Sequence, residues 1–344
     1  MGRCWYPLFA VEAKAISVVI PTFNRRERLG RVLAALDRQR CEPGAFEVVV
    51  VDDGSSDGTA EGLGTQKFGF ELRVIRQKNS GPARARNAGV DAAQGRLLLF
   101  LDDDVEPTDV LVTEHLKSHE LDDHLVVMGP LASLPHYRQP WVAWEQAKLE
   151  AQYASMLRGD WAPTFRQFWT GNASLGRQHV VAAGKFNTDY LRAEDVELGY
   201  RLHVRGLKFR FNPAAKGFHH VERSLDGWMT AHRSYGRLEP EIFSRFGESG
   251  LDEYLGGNWS RLHPATRWLV RGCLDHPRRH DAASFALQRL LKLEEATGRP
   301  LASDKACGAL ANLLYWRALS EAIGTERARQ IMRRGDEMRR GSAG

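Results

Sequence analysis

No apolar run in this 344-residue chain approaches the ~18 residues that a membrane span requires. The longest, Leu97–Leu101, has the length of a strand. A secretory leader is equally hard to find: residues 5–11 are few, are interrupted by Pro7, and are followed by Glu12 and Lys14. Cysteine is scarce. Cys4, Cys41, Cys273 and Cys307 are scattered, with no CxxC pair, which excludes a disulfide framework and a cysteine-zinc site. They read as reduced thiols of a cytoplasmic protein. An excess of one charge is missing too, with 48 basic against 43 acidic residues and a net charge of +5. With no basic run or recognition motif, nucleic acid is not an expected partner. No internal repeat is found.

What is present is an ordinary globular composition, 43% hydrophobic and 26% charged. The length suggests roughly two domains at about 150 residues each. Residues 226–344 hold 19 basic and 15 acidic residues, most of the net charge. A solvated surface explains that distribution. A secondary expectation is peripheral contact with an anionic membrane at its inner face.

The first 130 residues alternate between two periods. Strands are expected at 16–20, 46–51, 72–75, 97–101 and 125–128, and helices at 27–38, 82–92 and 108–119. Continuous apolar strands between helices predict a mostly parallel sheet covered on both faces, an α/β fold. Residues 135–170 carry Trp141, Trp144, Trp161 and Trp169 without a clear period, and read as an aromatic excursion or a pair of irregular helices. Helices near 179–184 and 195–205 and a strand at 208–211 follow. Beyond about 226 only helices are expected, at 226–246, 264–275, 282–296, 304–322 and 325–339. The reading is a domain over 1–230 and a helical extension over 231–344.

Ligands of parallel sheets sit outside the carboxyl ends of the strands. The clustered acids of this chain fall there: Asp52 and Asp53 after the second strand, and Asp102, Asp103 and Asp104 after the fourth. Adjacent carboxylates repel one another, and a hard divalent cation relieves that repulsion. Mg²⁺ or Mn²⁺ completes its shell with phosphate oxygens, so a diphosphate ligand is implied. Phe23 offers a stacking surface and Asp53 an acceptor for a base N–H. Gly81 allows close backbone approach at a helix start, and Arg84 and Arg86 follow it. Glu194 and Asp195 open another helix, where capping alone would explain them. A carboxylate there also suits a general base. His219 and His220 are candidates for a further metal ligand.

The ordered set Val18-Val-Ile-Pro-Thr-Phe-Asn24, Val49-Val-Val-Asp-Asp-Gly-Ser-Ser-Asp-Gly58, Gly81 through Gly89, Phe100-Leu-Asp-Asp-Asp104, Thr170-Gly-Asn-Ala-Ser174 and Glu194-Asp195 resembles the family 2 glycosyltransferases of GT-A fold, over about residues 15–225. The resemblance implies a nucleotide-sugar half at about 15–130 and an acceptor half at about 131–230. It implies a nucleotide site at Pro21, Phe23, Asp53, Gly81, Arg86 and Asp103, with Asp103 near the ribose. It implies a DxD metal element of Asp102 and Asp104, with His219 as a further ligand, the doublet leaving His220 open. Asp195 would be the base of an inverting reaction, with Glu194 beside it. Trp169, Gly171 and Asn172 would line the acceptor side.

The implied reaction moves a sugar from a nucleoside-diphosphate sugar, with UDP first in expectation, to a carbohydrate, lipid-linked or other hydroxyl acceptor, with Mn²⁺ or Mg²⁺. The QxxRW motif of processive members is absent. The C-terminal helices are expected to form part of the acceptor side or a homodimer contact. Two other classes stay open: a sugar nucleotidyltransferase, which would release pyrophosphate, and a non-catalytic nucleotide-sugar-binding homologue.

Overall fold

The computed structural model describes residues 14–341 apart from 65, 135–136, 191, 246–247 and 300–302. Cys4 and residues 5–11 lie outside the described residues. In chain order the elements are β1 (Ile16–Thr22), α1 (Arg26–Leu36), β2 (Phe46–Asp52), α2 (Thr59–Leu63), β3 (Glu71–Arg76), α3 (Pro82–Ala92), β4 (Leu97–Leu101), β5 (Val105–Pro107), α4 (Leu111–Ser118), β6 (Leu125–Met128) and β7 (Leu131–Ala132). Next come α5 (Pro140–Arg158), β8 (Asn172–Gly176), α6 (Arg177–Ala182), α7 (Glu194–Val204), β9 (Lys208–Phe211) and β10 (Gly217–His219). The last six are α8 (Leu225–Ser244), α9 (Glu248–Ser260), α10 (Pro264–Leu274), α11 (Pro277–Thr297), α12 (Ser303–Ile323) and α13 (Thr325–Gly341).

The chain divides into two compact units. One holds the described residues up to Ala132 together with Ser155–His220. The other holds Ser133–Ala154 and the chain from Val221 onward.

The first unit is built on a seven-stranded sheet of order β3-β2-β1-β4-β8-β6-β9. The pairs β1–β2, β2–β3, β1–β4 and β6–β9 are parallel, while β8 runs antiparallel to both neighbours. Strand periodicity divides the apolar residues between two faces. Ile16, Val18 and Ile20 join Val48, Val50, Leu97, Leu99 and Leu101 in one core, with Leu29 and Leu33 of α1. Val19, Leu98 and Phe100 join Val126, Met128 and Leu198 in the other. Each fully buried aliphatic side chain contributes about 1.5–3 kcal/mol, so β1 and β4 anchor the sheet. Helix α3 starts at Pro82 after Gly81, whose φ of 89° suits glycine. At Gly89 a Cβ would sit 2.3 Å from Val19 Cγ1, so this glycine lets α3 lie directly on β1.

Four short strands escape a reading based on apolar runs. β5, β7 and β10 form a separate three-stranded sheet. β8 reads Asn-Ala-Ser-Leu-Gly and carries buried polar residues that weaken the strand pattern. Residues 135–170 are also more regular than expected, because most of them belong to the single helix α5.

The second unit is helical among its described residues. Trp141, Trp228, Cys307, Leu310 and Leu314 form its core, and Trp144 packs against it. The Trp141 indole N–H donates to the Arg223 carbonyl at 2.7 Å. Trp141 and Trp144 therefore belong to packing. Helix α9 was not expected from the sequence. No described helix is long and apolar enough to cross a membrane.

Candidate active site

The carboxyl ends of β1, β2 and β4 lie side by side because the three strands are parallel and adjacent. β8 enters the same rim at its amino end, where Asn172 pairs with Leu101. This topology gathers residues 21–25, 52–54, 102–104 and 171–172.

The acid triplet is unequally exposed. Asp103 and Asp104 are buried, whereas Asp102 stands partly open. Asp103 accepts from Thr22 Oγ1 at 2.7 Å and from Arg25 Nη1 at 2.7 Å. The same Arg25 nitrogen donates to Asp104 Oδ2 at 3.0 Å, and Arg28 Nη1 lies 4.0 Å from that oxygen. Burial pushes Asp103 up to about 6, helped by the charge of Asp104 and opposed by Arg25. Burial also pushes Asp104 up to about 6, helped by the charge of Asp102 and opposed by Arg25. His219 Nε2 lies 3.6 Å from Asp104 Oδ1. The His220 ring instead meets Glu106 Oε2 at 3.1 Å, while its backbone N–H donates to the Asp104 carbonyl.

Asp102 faces the other side of the site. Its Oδ1 accepts from Arg86 Nη2 at 2.9 Å, and Arg86 Nη1 donates to Glu194 Oε1 at 2.8 Å. Arg86 is buried, with its guanidinium 5.8 Å from the Phe186 ring centre. Burial works against its charge, and Asp102, Glu194 and Asp195 more than offset that. Asp195 opens α7 beside Glu194 and accepts from the Val196 N–H at 2.8 Å. Burial and the neighbouring charge of Glu194 raise it to about 7, against the pull of Arg86. Gly171 sits against the triplet: a Cβ there would lie 2.9 Å from Asp102 Oδ2. The Asp102 N–H donates to the Gly171 carbonyl at 3.2 Å.

At the β2 end, Asp53 organises the loop before α3. Its Oδ1 accepts from Gln77 Nε2 at 2.7 Å and the Ser80 N–H at 2.9 Å, and its Oδ2 accepts from the Gly81 N–H at 2.8 Å. Phe23 is 44% exposed. Pro21 is the penultimate residue of β1 and pairs with Val51.

Asn172 does not face the rim. It is fully buried, and its Nδ2 donates to the carbonyls of Ala215 at 2.8 Å and Pro130 at 3.3 Å. Its Oδ1 meets His115 Nε2 at 2.9 Å. Expected on the acceptor side, Asn172 is instead an internal strut of β8, since a hydrogen-bonded amide with no exposed surface cannot touch a sugar. His115 Nδ1 lies 2.7 Å, and His119 Nε2 2.8 Å, from Ser174 Oγ. Burial lowers both histidines to about 4. Trp169 is partly buried and packs against the core that contains Leu101 and Leu131.

Arg25, His115 of α4 and His119 at the end of that helix were not singled out as functional from the sequence. A signal was present for each. Arg25 follows the first strand within two residues of Phe23, and His115 and His119 are spaced i, i+4 on one helix face.

A divalent cation is implied by the resemblance, and the residues present suit one. Asp102, Asp104 and His219 offer carboxylate oxygen and imidazole nitrogen. Two buried carboxylates stand in adjacent positions, each with a proton affinity raised by burial and by a neighbouring acid, so a further positive charge there would be welcome. Among the described residues no ready-formed cluster of three ligands exists, and Arg25 holds part of that charge balance.

The family model for glycosyl transferase family 2 matches residues 17–180. Among curated relatives, an uncharacterized glycosyltransferase, YfnE of Bacillus subtilis, is 33% identical over 243 residues, which is 56% of this chain and 62% of that protein. A validoxylamine A glucosyltransferase of Streptomyces hygroscopicus subsp. limoneus is 33% identical over 220 residues, 56% of this chain and 48% of that protein. The chain thus spans between about half and three fifths of the length of these two relatives.

Among solved structures, the mannosyltransferase PcManGT from Pyrobaculum calidifontis, in complex with GDP-Man and Mn²⁺, aligns with a TM-score of 0.53 at 19% identity. The alignment covers 94% of this chain and 88% of that one. TarS 1–349 of S. aureus, in complex with UDP-GlcNAc, aligns at 0.52 and 16% identity over 90% and 92% of the two chains. These likenesses establish the fold, which is GT-A.

Proposed function

Since residues 17–180 carry a glycosyl transferase family 2 domain, we propose that the chain transfers a sugar from a nucleoside-diphosphate sugar to an acceptor hydroxyl with inversion at the anomeric carbon. The observation that carries the reading is the pair of carboxylates gripped by Arg86. One, Asp102, belongs to the triplet at the end of β4, and the other, Glu194, adjoins Asp195 at the start of α7. Donor and base sides of a single displacement thereby meet across one guanidinium.

On this reading the exposed ring of Phe23 stacks on the nucleobase. Asp53 fixes the loop at Ser80 and Gly81 and turns its remaining lone pairs toward the base N–H. Asp103, tied to Thr22, stands by the ribose. Asp102, Asp104 and His219 would hold Mn²⁺ or Mg²⁺, which as a bound Lewis acid offsets the charge of a departing diphosphate.

Asp195 takes the proton of the acceptor hydroxyl. Its raised proton affinity suits the task, because a base performs best with a pKa near the working pH. Glu194, held by Arg86, keeps the start of α7 in place. Gly171 makes room for the Asp102 carboxylate and, with Trp169, lines the acceptor side. One in-line displacement gives the inverted anomer.

The solved neighbours that hold UDP-GlcNAc or GDP-Man support a nucleotide-sugar donor. A UDP-sugar remains the first expectation, on family resemblance. The acceptor is a carbohydrate, lipid-linked or other hydroxyl. The test is a screen of nucleotide sugars with Mn²⁺, scoring nucleoside diphosphate release. Pyrophosphate release instead would make the chain a nucleotidyltransferase, and no turnover with any donor would leave a binding protein.

A further inference from the structure

Arg25 stands against two of the three acids of the triplet. It follows β1 at the amino end of α1 and is 41% exposed at its side chain, yet one of its nitrogens reaches both buried acids, Asp103 at 2.7 Å and Asp104 at 3.0 Å. On the opposite side of Asp104, His219 stands at 3.6 Å. Asp104 thus lies between a guanidinium and an imidazole. Arg28 adds a more distant charge at 4.0 Å from the oxygen that Arg25 holds.

A bound divalent cation and a guanidinium both seek the charge of Asp104, and they repel each other at this range. The guanidinium is the one free to leave, since its side chain is long and partly exposed at the start of α1. We propose that Arg25 is a resident counter-cation of the acid triplet, displaced from Asp104 by the divalent cation and then available to the donor's diphosphate. The inference rests on the cation reading given above and adds to it a donor-binding residue.

Linkage follows. In the free chain, a cation must break the Arg25–Asp104 contact to bind, which weakens it. With a nucleoside diphosphate present, the released guanidinium gains phosphate oxygens, with which arginine pairs well. Cation and nucleotide should therefore strengthen one another's binding, and by reciprocity the factor is the same from either side.

The experiment is a titration of the purified full chain with Mn²⁺, reading free Mn²⁺ by electron paramagnetic resonance, without and with UDP. Wild type is compared with Arg25→Gln, Arg25→Lys and Asp104→Asn, and circular dichroism confirms folding. Without UDP, Arg25→Gln should bind Mn²⁺ more tightly, on the order of tenfold, because one positive charge at contact range is removed. Arg25→Lys should fall between, since it keeps the positive charge but not the reach and planar geometry that put one guanidinium nitrogen on both carboxylates. UDP should tighten Mn²⁺ strongly in wild type and much less in Arg25→Gln.

Unchanged or weaker Mn²⁺ binding in Arg25→Gln, with Asp104→Asn abolishing it, overturns the proposal and leaves the cation reading intact. Wild-type Mn²⁺ binding in Asp104→Asn overturns both.

Discussion

Asp102 and Glu194, 92 positions apart in the chain, share the two terminal nitrogens of Arg86, at 2.9 and 2.8 Å. One ends a central strand and the other begins a helix, so this contact fixes the distance between them. Because Arg86 is buried, neither carboxylate can replace it with water easily.

Removing Arg86 should therefore cost more than a surface ion pair. Breaking a buried pair by deleting one partner costs about 3–5 kcal/mol. Arg86→Gln should lower the melting temperature and reduce transfer together. Arg86→Lys keeps the charge but loses the fork, so it should melt closer to wild type and still transfer poorly. A thermal melt alongside a donor-turnover assay checks both, and full transfer in Arg86→Lys would contradict the bridging role.

Asp195→Asn keeps the side-chain shape but cannot accept a proton. Transfer should fall by about 10²–10⁴-fold, the range for positioned acid–base groups, while UDP binding stays near wild type. Glu194→Gln should be milder in chemistry. Product analysis should find the inverted anomer. Wild-type transfer by Asp195→Asn, or a retained anomer, would remove Asp195 as the base.

The same carboxylate sets a pH dependence. Asp195 is raised to about 7, and a base works only when ionised. In the free enzyme, kcat/KM should rise with pH up to about 7 and then level. The rising limb should vanish in Asp195→Asn. For stability the direction is opposite. Folding raises the proton affinity of Asp195, so its contribution is full below the ordinary carboxylate range near 4 and is lost as pH rises through about 7.

Phe23→Ala removes an exposed ring without touching the core. Base stacking on an aromatic is worth about 1–3 kcal/mol, so the UDP dissociation constant should rise roughly tenfold or more. Calorimetric titration measures it, and an unchanged constant would move the base elsewhere.

Gly171→Ala places a methyl group 2.9 Å from Asp102 Oδ2. The nearest obstacle is the tip of a side chain, so the fold should tolerate the change and the carboxylate should turn away. Donor turnover should drop severalfold with little change in melting temperature. Melting and turnover falling in proportion would mean that the glycine serves packing alone.

The strands that carry the rim were legible because their residues are apolar without interruption. Leu97–Leu101 and Leu125–Met128 appear in the structure with the boundaries that the pattern implies. The helix of residues 82–92 was equally clear, with Pro82 inside its start. β8 was not legible, since its polar residues are matched by distant partners such as His115 and Ala215, which spacing along the chain cannot reveal. β5 and β10 are only three residues each, too short for periodicity.

At the site, the acids could be found because they cluster in sequence. The grip of Arg25 on two of them could not, because it depends on how a turn directs one long side chain. Asn172 misled for a related reason: its neighbours are at the rim, but strand alternation points it inward.

The buried chain beneath β8 has a direction. The Asn172 amide gives both hydrogens to carbonyls, so its oxygen must receive one from His115 Nε2. A neutral His115 then has only a lone pair at Nδ1, which the Ser174 hydroxyl must fill. The hydroxyl oxygen is left to accept from His119 Nε2, and His119 Nδ1, buried and without a hydrogen-bond partner among the described residues, ends the sequence as a bare lone pair. Every proton position is thus dictated from one end, like a row of arrows that can point only one way. Descendants of this chain cannot easily change Asn172, His115 or Ser174 singly, because reversing any arrow sets two donors or two acceptors face to face. Where these positions vary, they should vary as a set.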